Sequence, residues 1–320
     1  MRFWRNAFAY NLAKRRMNLI RIGTRGSQLA LAQAHETRRR LMDAHGLAEA
    51  AIEIVPIRTT GDMIQDRALA EAGGKGLFTR ELDAALVEGR VDLTVHSSKD
   101  LPTILPDEIE VSVYLPREDV RDVLIARDVT RIADLRQGAR VGTASLRRGA
   151  LIKRLRPDVE IGLLRGNVET RLRRISDGDF DATLLALAGL KRLGLEDRAA
   201  AILSTDEFPP AVGQGAIGIT ARKNDAATRA LLLPIGDEPT GHALTAERAF
   251  LRVLDGSCRT PIAGLAEVKG DRLTFSGMIL RTDGSEWFDI ADEGPAVEAQ
   301  AIGERAGRAL LARAPADILA

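Results

Sequence analysis

From residue 19 to about residue 185, short β-branched runs alternate with stretches of helical period, and this alternation restricts the fold more than any other property of the chain. Strands are expected at 19–23, 52–57, 91–95, 110–115, 123–126, 140–143, 160–164 and 182–185. Helices fit the gaps at 27–45, 79–88, 146–156 and 168–176, the first with Ser27 as N-cap and Gly46 as its stop. Such an order predicts α/β sheets with helices on their faces. After Pro234 the order changes to a helix at 244–254, strands at 262–268, 272–280 and 286–290, and a helix at 297–312. The short turns at Gly270-Asp271 and Asp283-Gly284 predict an antiparallel, separate α+β unit.

Charge sharpens this picture. The 320 residues carry 46 Lys+Arg against 45 Asp+Glu, yet 39 of the basic residues are arginine. GC-rich coding explains an excess of arginine but not its placement. Residues 136–174 contain eleven basic and three acidic side chains. Three times an expected strand runs into a polar turn with arginine near the next helix start: IGTRGS at 22–27, VGTASLRR at 141–148 and LRGN at 164–167. Free N–H groups at helix N-termini face anions, and arginine adds a fork matched to carboxylate or phosphate. One such turn is more often structural than functional. Three with added basic charge point to a ligand bearing several anionic groups.

Several classes are excluded or disfavoured. A single cysteine, Cys258, rules out an internal disulfide framework and a cysteine metal cage. Four histidines without an HExxH spacing leave no metal site to expect. Gly73-Gly74-Lys75-Gly76 lacks the hydroxyl residue of a P-loop, and no GxGxxG opens a helix after a strand. Near-neutral charge and 4% aromatic residues disfavour nucleic acid, and no apolar run approaches membrane-spanning length. Residues 1–16 hold five basic residues and no acid, and read either as a leader or as sequence upstream of a start at Met17. They are expected to be a disordered extension outside the fold.

Two places invite chemistry. The run VDLTV at 91–95 leads into HSSKDLP, placing Asp100 at a strand's carboxyl end, where α/β enzymes hold reactive groups. An arbitrary Lys-Asp pair is usually a solvated surface pair; in a cleft, the carboxylate would stabilise a developing cation or move protons. His96 is the other acid/base candidate, and its blander reading is a hydrogen-bonded support. Cys258 sits in DGSCRTP, beside Arg259, which favours thiolate; the alternative is a buried inert thiol. No histidine follows at protease-like distance, so a functional Cys258 would be an attachment point.

The ordered segments IGTRGSQLALAQA (22–34), GGKGLFTRELD (73–83), VDLTVHSSKDLP (91–102), VGTASLRR (141–148), LLRGNVETRL (163–172), LALAGLKRLG (185–194), PAVGQGAIGI (210–219), TAERAFLR (245–252) and GSCRTPI (256–262) resemble the porphobilinogen deaminase (hydroxymethylbilane synthase) family. The resemblance covers everything except the N-terminal extension. It implies two periplasmic-binding-protein-like α/β domains with a chain double crossover, and a smaller C-terminal α+β domain with a three-stranded antiparallel sheet. The implied division is 17–115 with 213–236, then 116–212, then 237–320.

The resemblance further implies a transferase of tetrapyrrole biosynthesis. It would carry dipyrromethane on Cys258 through a thioether, add four porphobilinogens with loss of ammonia, and release hydroxymethylbilane with water. Asp100 would be catalytic. Arg25, Ser27, Lys75, Lys99, Ser145, Arg147, Arg148, Arg165, Arg171 and Arg192 would hold carboxylates of the dipyrromethane and substrate. Arg147 and Arg148 would serve the primer, and Arg25, Arg165 and Arg171 incoming or growing units. His96, Ser97 and Gln214 would support the cleft. No metal is implied; a cytoplasmic monomer acting on a small molecule, without nucleic acid or membrane, is expected. The chemistry agrees with the residues: each pyrrole brings an acetate and a propionate, so a growing chain needs many fixed cations. The rival readings are a non-enzymatic two-lobe binder of a polycarboxylate and, less well supported, an NAD-dependent dehydrogenase.

Overall fold

The computed structural model describes residues 19–63, 76–254 and 260–318. In chain order the first lobe begins with β1 (Ile20–Arg25), α1 (Gln28–His45), β2 (Ile52–Ile57), α2 (Thr60–Met63), α3 (Arg80–Val87), β3 (Leu93–Ser97) and β4 (Ile109–Tyr114). The second follows with β5 (Asp122–Ala126), β6 (Arg140–Gly142), α4 (Leu146–Leu155), β7 (Glu160–Gly162), α5 (Val168–Ser176), β8 (Ala182–Ala186), α6 (Leu187–Leu193) and β9 (Ala201–Ile202). The chain then returns through β10 (Ile217–Arg222) and α7 (Ala226–Leu232). It ends in α8 (Glu238–Val253), β11 (Ile262–Lys269), β12 (Arg272–Leu280), β13 (Trp287–Pro295) and α9 (Ala299–Arg313).

Two five-stranded sheets share one plan. The first has the order β2-β1-β3-β10-β4 and the second β7-β6-β8-β5-β9. In each, the second strand of that order, β1 or β6, pairs parallel to both neighbours, whereas β10 and β5 run antiparallel to both of theirs. Those two odd strands mark the chain's passages between lobes. β11, β12 and β13 form the expected antiparallel sheet, backed by α8 and α9. The architecture is therefore two α/β lobes with a double crossover and a C-terminal α+β unit.

The crossings are tied where they touch. Gly215 holds φ +85°, and a Cβ there would stand 2.3 Å from the Glu118 carbonyl oxygen, so only glycine allows the two strands this approach. The Glu118 N–H donates to the Gly215 carbonyl at 3.2 Å. Glu247 of α8, fully buried, receives Arg117 of the outward crossing (2.6 and 3.1 Å), the Gly213 N–H of the return (2.7 Å) and the Ala266 N–H of β11 (2.8 Å). A buried carboxylate is tolerated only with such partners. Apolar packing continues the link: Ala263, Met278 and Leu280 of the C-terminal unit join the core of the second lobe around Leu124, Val141 and Leu151.

Most elements match the pattern read from the residues, and the differences have physical causes. β3 lies two residues later than expected, because Val91, though fully buried, precedes the paired residues. No strand was expected at β10, whose residues 217–221 are buried throughout and so lack the period-two signal. Helix α8 starts at Glu238, not near 244: Asp237 caps it by accepting the Thr240 N–H, and Pro239 fits a first turn that has no donor to lose. The short helices α6 and α7 were also not anticipated. Among the described residues no helix is long and apolar enough to cross a membrane. The N-terminal extension and Cys258 lie outside the described residues.

Candidate active site

The three arginine-bearing turns converge. Each helix after them is capped by a side-chain oxygen: Ser27 accepts the Ala30 N–H (3.3 Å), Ser145 the Arg148 N–H (3.4 Å) and Asn167 the Thr170 N–H (2.9 Å). They open onto a cavity of about 700 Å³ between the lobes. Among the described residues, six cationic side chains line it (Arg25, Arg58, Lys99, Arg148, Arg165 and Arg171) against three acidic ones, Asp62, Asp100 and Glu169.

On the first lobe, Asp100 follows β3 at the cavity wall, half-buried, 3.5 Å from Arg25 Nη1. Arg25 is fixed on three sides. Its guanidinium pairs with Asp62, faces Asp100, and lies 4.1 Å from the centre of the Phe78 ring. Burial opposes ionisation of Asp62, but Arg25 and Thr59 more than offset it and hold the carboxyl below its ordinary range. His96 is buried, with Nε2 2.8 Å from the Thr94 hydroxyl. Burial, with Arg25 second, pulls its pKa down to about 3, so the ring is neutral at working pH. Beside it the Ser97 hydroxyl pairs with the Gln33 amide at 2.9 Å.

The second lobe is built differently. Asp122, fully buried at the start of β5, receives Arg147 Nη2 at 2.7 Å and Arg148 Nη2 at 2.6 Å. Burial disfavours its charge, but the two guanidiniums outweigh that and hold it far below the usual carboxylate range. Gln214 Nε2 donates to the same carboxylate (3.0 Å), while its Oε1 accepts Lys99 Nζ at 3.2 Å. Burial and then Arg148 lower the Lys99 pKa to about 8. Arg171 Nε donates to the Gly166 carbonyl at 3.0 Å; burial, with Arg148 and Arg165 beside it, brings its pKa down to about 10, still fully charged near neutrality. Arg165 Nη2 reaches the Gly61 carbonyl of the first lobe at 3.5 Å.

Of the residues singled out from the sequence, Arg25, Ser27, His96, Ser97, Lys99, Asp100, Arg148, Arg165 and Arg171 line this one cavity. Ser145 acts as a helix cap next to it. Arg147 stands behind Arg148, bonded to the Pro209 carbonyl (2.6 Å). Arg192 joins Glu36 (3.4 Å) and the Gly215 carbonyl (3.0 Å) at the crossing, and Gln214 is wholly buried there. Lys75 and Cys258 lie outside the described residues.

The basic stretch 136–174 needs a correction. Only three of its eleven cations, Arg148, Arg165 and Arg171, line the cavity. Arg136, Arg156 and Arg174 pair outside it with Asp181, Asp158 and Asp179. Two of those acids fall just beyond residue 174, so the count stopped short of the charges that neutralise it. Asp122, Asp62, Phe78 and Glu247 were missed. For Asp122, the signal available was a lone acid opening an otherwise apolar strand.

Relatives fit this geometry. Residues 20–230 match the family description "Porphobilinogen deaminase, dipyromethane cofactor binding domain", and residues 242–312 match "Porphobilinogen deaminase, C-terminal domain". The chain belongs to the porphobilinogen deaminase family. It is 57% identical over 296 residues to the porphobilinogen deaminase of Nitrobacter winogradskyi, covering 92% of this chain and 94% of that one. It is 56% identical, with the same coverage, to that of Nitrobacter hamburgensis. A solved periplasmic substrate-binding protein of an ABC transporter from Coxiella burnetii superposes with TM-score 0.44 at 14% identity, over 68% of this chain and 92% of that chain. Family membership brings the transferase activity of tetrapyrrole biosynthesis and a dipyrromethane cofactor-binding domain. It sets aside the readings as a non-enzymatic binder and as a dehydrogenase.

Proposed function

We propose that the chain deaminates porphobilinogen and joins four such rings head to tail on a dipyrromethane held by Cys258 through a thioether, then releases hydroxymethylbilane with water. The observation that carries this is the cavity itself, in which Asp100 faces a wall of cations supplied by two lobes. The residues suit a dipyrromethane: among the described residues cations outnumber acids around the cavity, and buried Arg147 Nε has no hydrogen-bond partner. When bound, that group supplies a pyrrole with a free ring carbon as acceptor.

In this reading Arg148, Arg165 and Arg171 take acetate and propionate groups, since arginine binds carboxylates bidentately. Arg147 and Lys99 reinforce the primer side. Ser27 and Ser145 order helix starts whose N–H groups favour anions. Lys75 is assigned to the carboxylates by resemblance. Asp100 lies where a carboxylate stabilises the positive charge that spreads to the pyrrole nitrogen as ammonia leaves, and it moves protons to the departing amine. Arg25, 3.5 Å away, holds Asp100 in place. His96, neutral, supports the strand end with Ser97, while Gln214 and Arg192 tie the cavity to the crossing. The lobes divide as 17–115 with 213–236 and 116–212, followed by 237–320, and their motion about the crossings makes room for a lengthening product. We assign a monomer acting in the cytoplasm on a small molecule.

Intact-protein mass spectrometry tests the reading. Active protein should exceed its sequence mass by two linked pyrroles, with the adduct on Cys258, and should convert porphobilinogen to hydroxymethylbilane. Active protein with an unmodified Cys258 would overturn it.

A further inference from the structure

A fully buried carboxylate outside the cavity organises cations that belong to both lobes. Asp122 Oδ1 accepts Arg148 Nη2 (2.6 Å), Arg148 Nε (3.2 Å) and Gln214 Nε2 (3.0 Å), and Oδ2 accepts Arg147 Nη2 (2.7 Å). Every partner is itself buried: Gln214 is 0% exposed, Arg147 4% and Arg148 6%. The amide of Gln214 has only one useful orientation. Its nitrogen must donate to Asp122 and to the Val120 carbonyl (2.8 Å), which leaves its oxygen for Lys99 Nζ. Thus a residue on β5 dictates where the ammonium of a first-lobe lysine rests, one position before Asp100.

We propose that Asp122 is a positioning residue for the reaction site, anchoring the Arg147–Arg148 pair directly and orienting Lys99 beside Asp100 through the Gln214 amide. The inference rests on the function proposed above. Two buried guanidiniums without a counter-charge would repel each other and swing toward water. A single carboxylate held by both keeps Arg148 at the cavity wall with donors left for a ligand. The charged groups acting on Lys99 are Arg147 and Arg148 from α4, Asp122 from β5 and its neighbour Asp100. Asp122 and Asp100 favour its ammonium, and the two arginines disfavour it. Loss of the Asp122 charge, or of the Gln214 oxygen, therefore moves the Lys99 titration to lower pH.

The test uses the full chain with D122N and Q214M. Lys99 titration is read by competitive acetylation across pH with peptide mass spectrometry, and primer assembly by intact mass after apoprotein meets porphobilinogen. In D122N the Lys99 titration should fall by about one pH unit, and the fraction of molecules gaining pyrrole mass should drop about tenfold at limiting porphobilinogen. The alkaline limb of the kcat/KM profile should move down with Lys99. If D122N does not fold, Q214M decides, because it leaves Asp122 on both arginines while removing the amide that accepts Lys99 and donates to Asp122 and the Val120 carbonyl; its Lys99 titration should also fall. Titration and primer assembly equal to wild type in folded D122N, or unchanged Lys99 titration in Q214M, would overturn the proposal. Wild-type protein that neither gains pyrrole mass nor turns over would instead overturn the function proposed above, and the Lys99 titration would still decide the role of Asp122.

Discussion

The two lobes share a strand order but hold their charges in opposite ways. On the first, cavity-facing Arg25 is clamped by Asp62 and Asp100 and stacked on Phe78, so its charge is largely spent inside the protein. On the second, the neutralising carboxylate, Asp122, lies behind the wall, and Arg148, Arg165 and Arg171 turn toward the cavity with Glu169 as the only acid that this lobe adds to the lining among the described residues. One sheet plan thus lines the cavity with Asp62 and Asp100 among Arg25, Arg58 and Lys99 on one side, and with three arginines beside the lone Glu169 on the other, among the described residues. A substrate whose own carboxylates need cations, and whose reacting ring becomes positive, is served by both walls: cations on each, and the Asp100 carboxylate on one. The difference arises at strand ends, where a few side chains change while the pairing of the sheet stays the same.

This contrast can be broken in several ways. The largest effect is expected from Asp100→Asn, which keeps the shape but removes the charge: kcat should fall by about 10²–10³. Near-normal turnover in a steady-state assay would remove the chemical role from the first lobe. Arg171→Leu, on the opposite wall, should lower kcat/KM by about tenfold to a hundredfold, mostly through KM, as one charge-assisted contact is worth ~1.5–3 kcal/mol. An equal loss in kcat alone would show that the lobes do not divide the work. At the joint between them, Gly215→Ala should cost about 2 kcal/mol or more in urea unfolding, since it combines a positive φ with a clash against Glu118. Wild-type stability would mean that the crossings can part freely.

His96 supplies a pH test. Its folded pKa is depressed to about 3, so between roughly pH 6.5 and 3 the unfolded chain binds a proton that the folded one refuses. Stability therefore falls as pH drops through that window, and His96→Gln should flatten the dependence by about 1 kcal/mol per pH unit. An unchanged slope would mean that the first lobe admits a charged ring. The smallest effect is expected from Arg136→Ala, whose exposed pair with Asp181 should be worth under about 1 kcal/mol, with turnover unchanged. A tenfold loss of activity would return the outer arginines to the functional site.

Where local chemistry decides, the residues were legible. Ser27, Ser145 and Asn167 were readable as helix starts with arginine nearby because a cap is satisfied within three residues. β10 was not, because a strand buried along its length has no alternation to read. Asp122 was invisible as an organiser, since its partners come from positions 25, 26 and 92 residues away. The 136–174 charge count misled for the same reason: Arg136 and Arg174 meet their acids outside the counted window.

By itself the amino-acid order determined the α/β alternation, the three capped helix starts with arginine nearby, the antiparallel C-terminal sheet and the family to which the chain belongs. Those depend on hydrogen bonds and periodicities closed within a few residues, or on ordered motifs. Only the tertiary structure decided which arginines face the cavity and which are spent on internal acids. The same guanidinium has the same local sequence signal either way. Its counter-ion is chosen by sheet pairing and by the double crossing, which bring distant carboxylates to Arg25, Arg147 and Arg148.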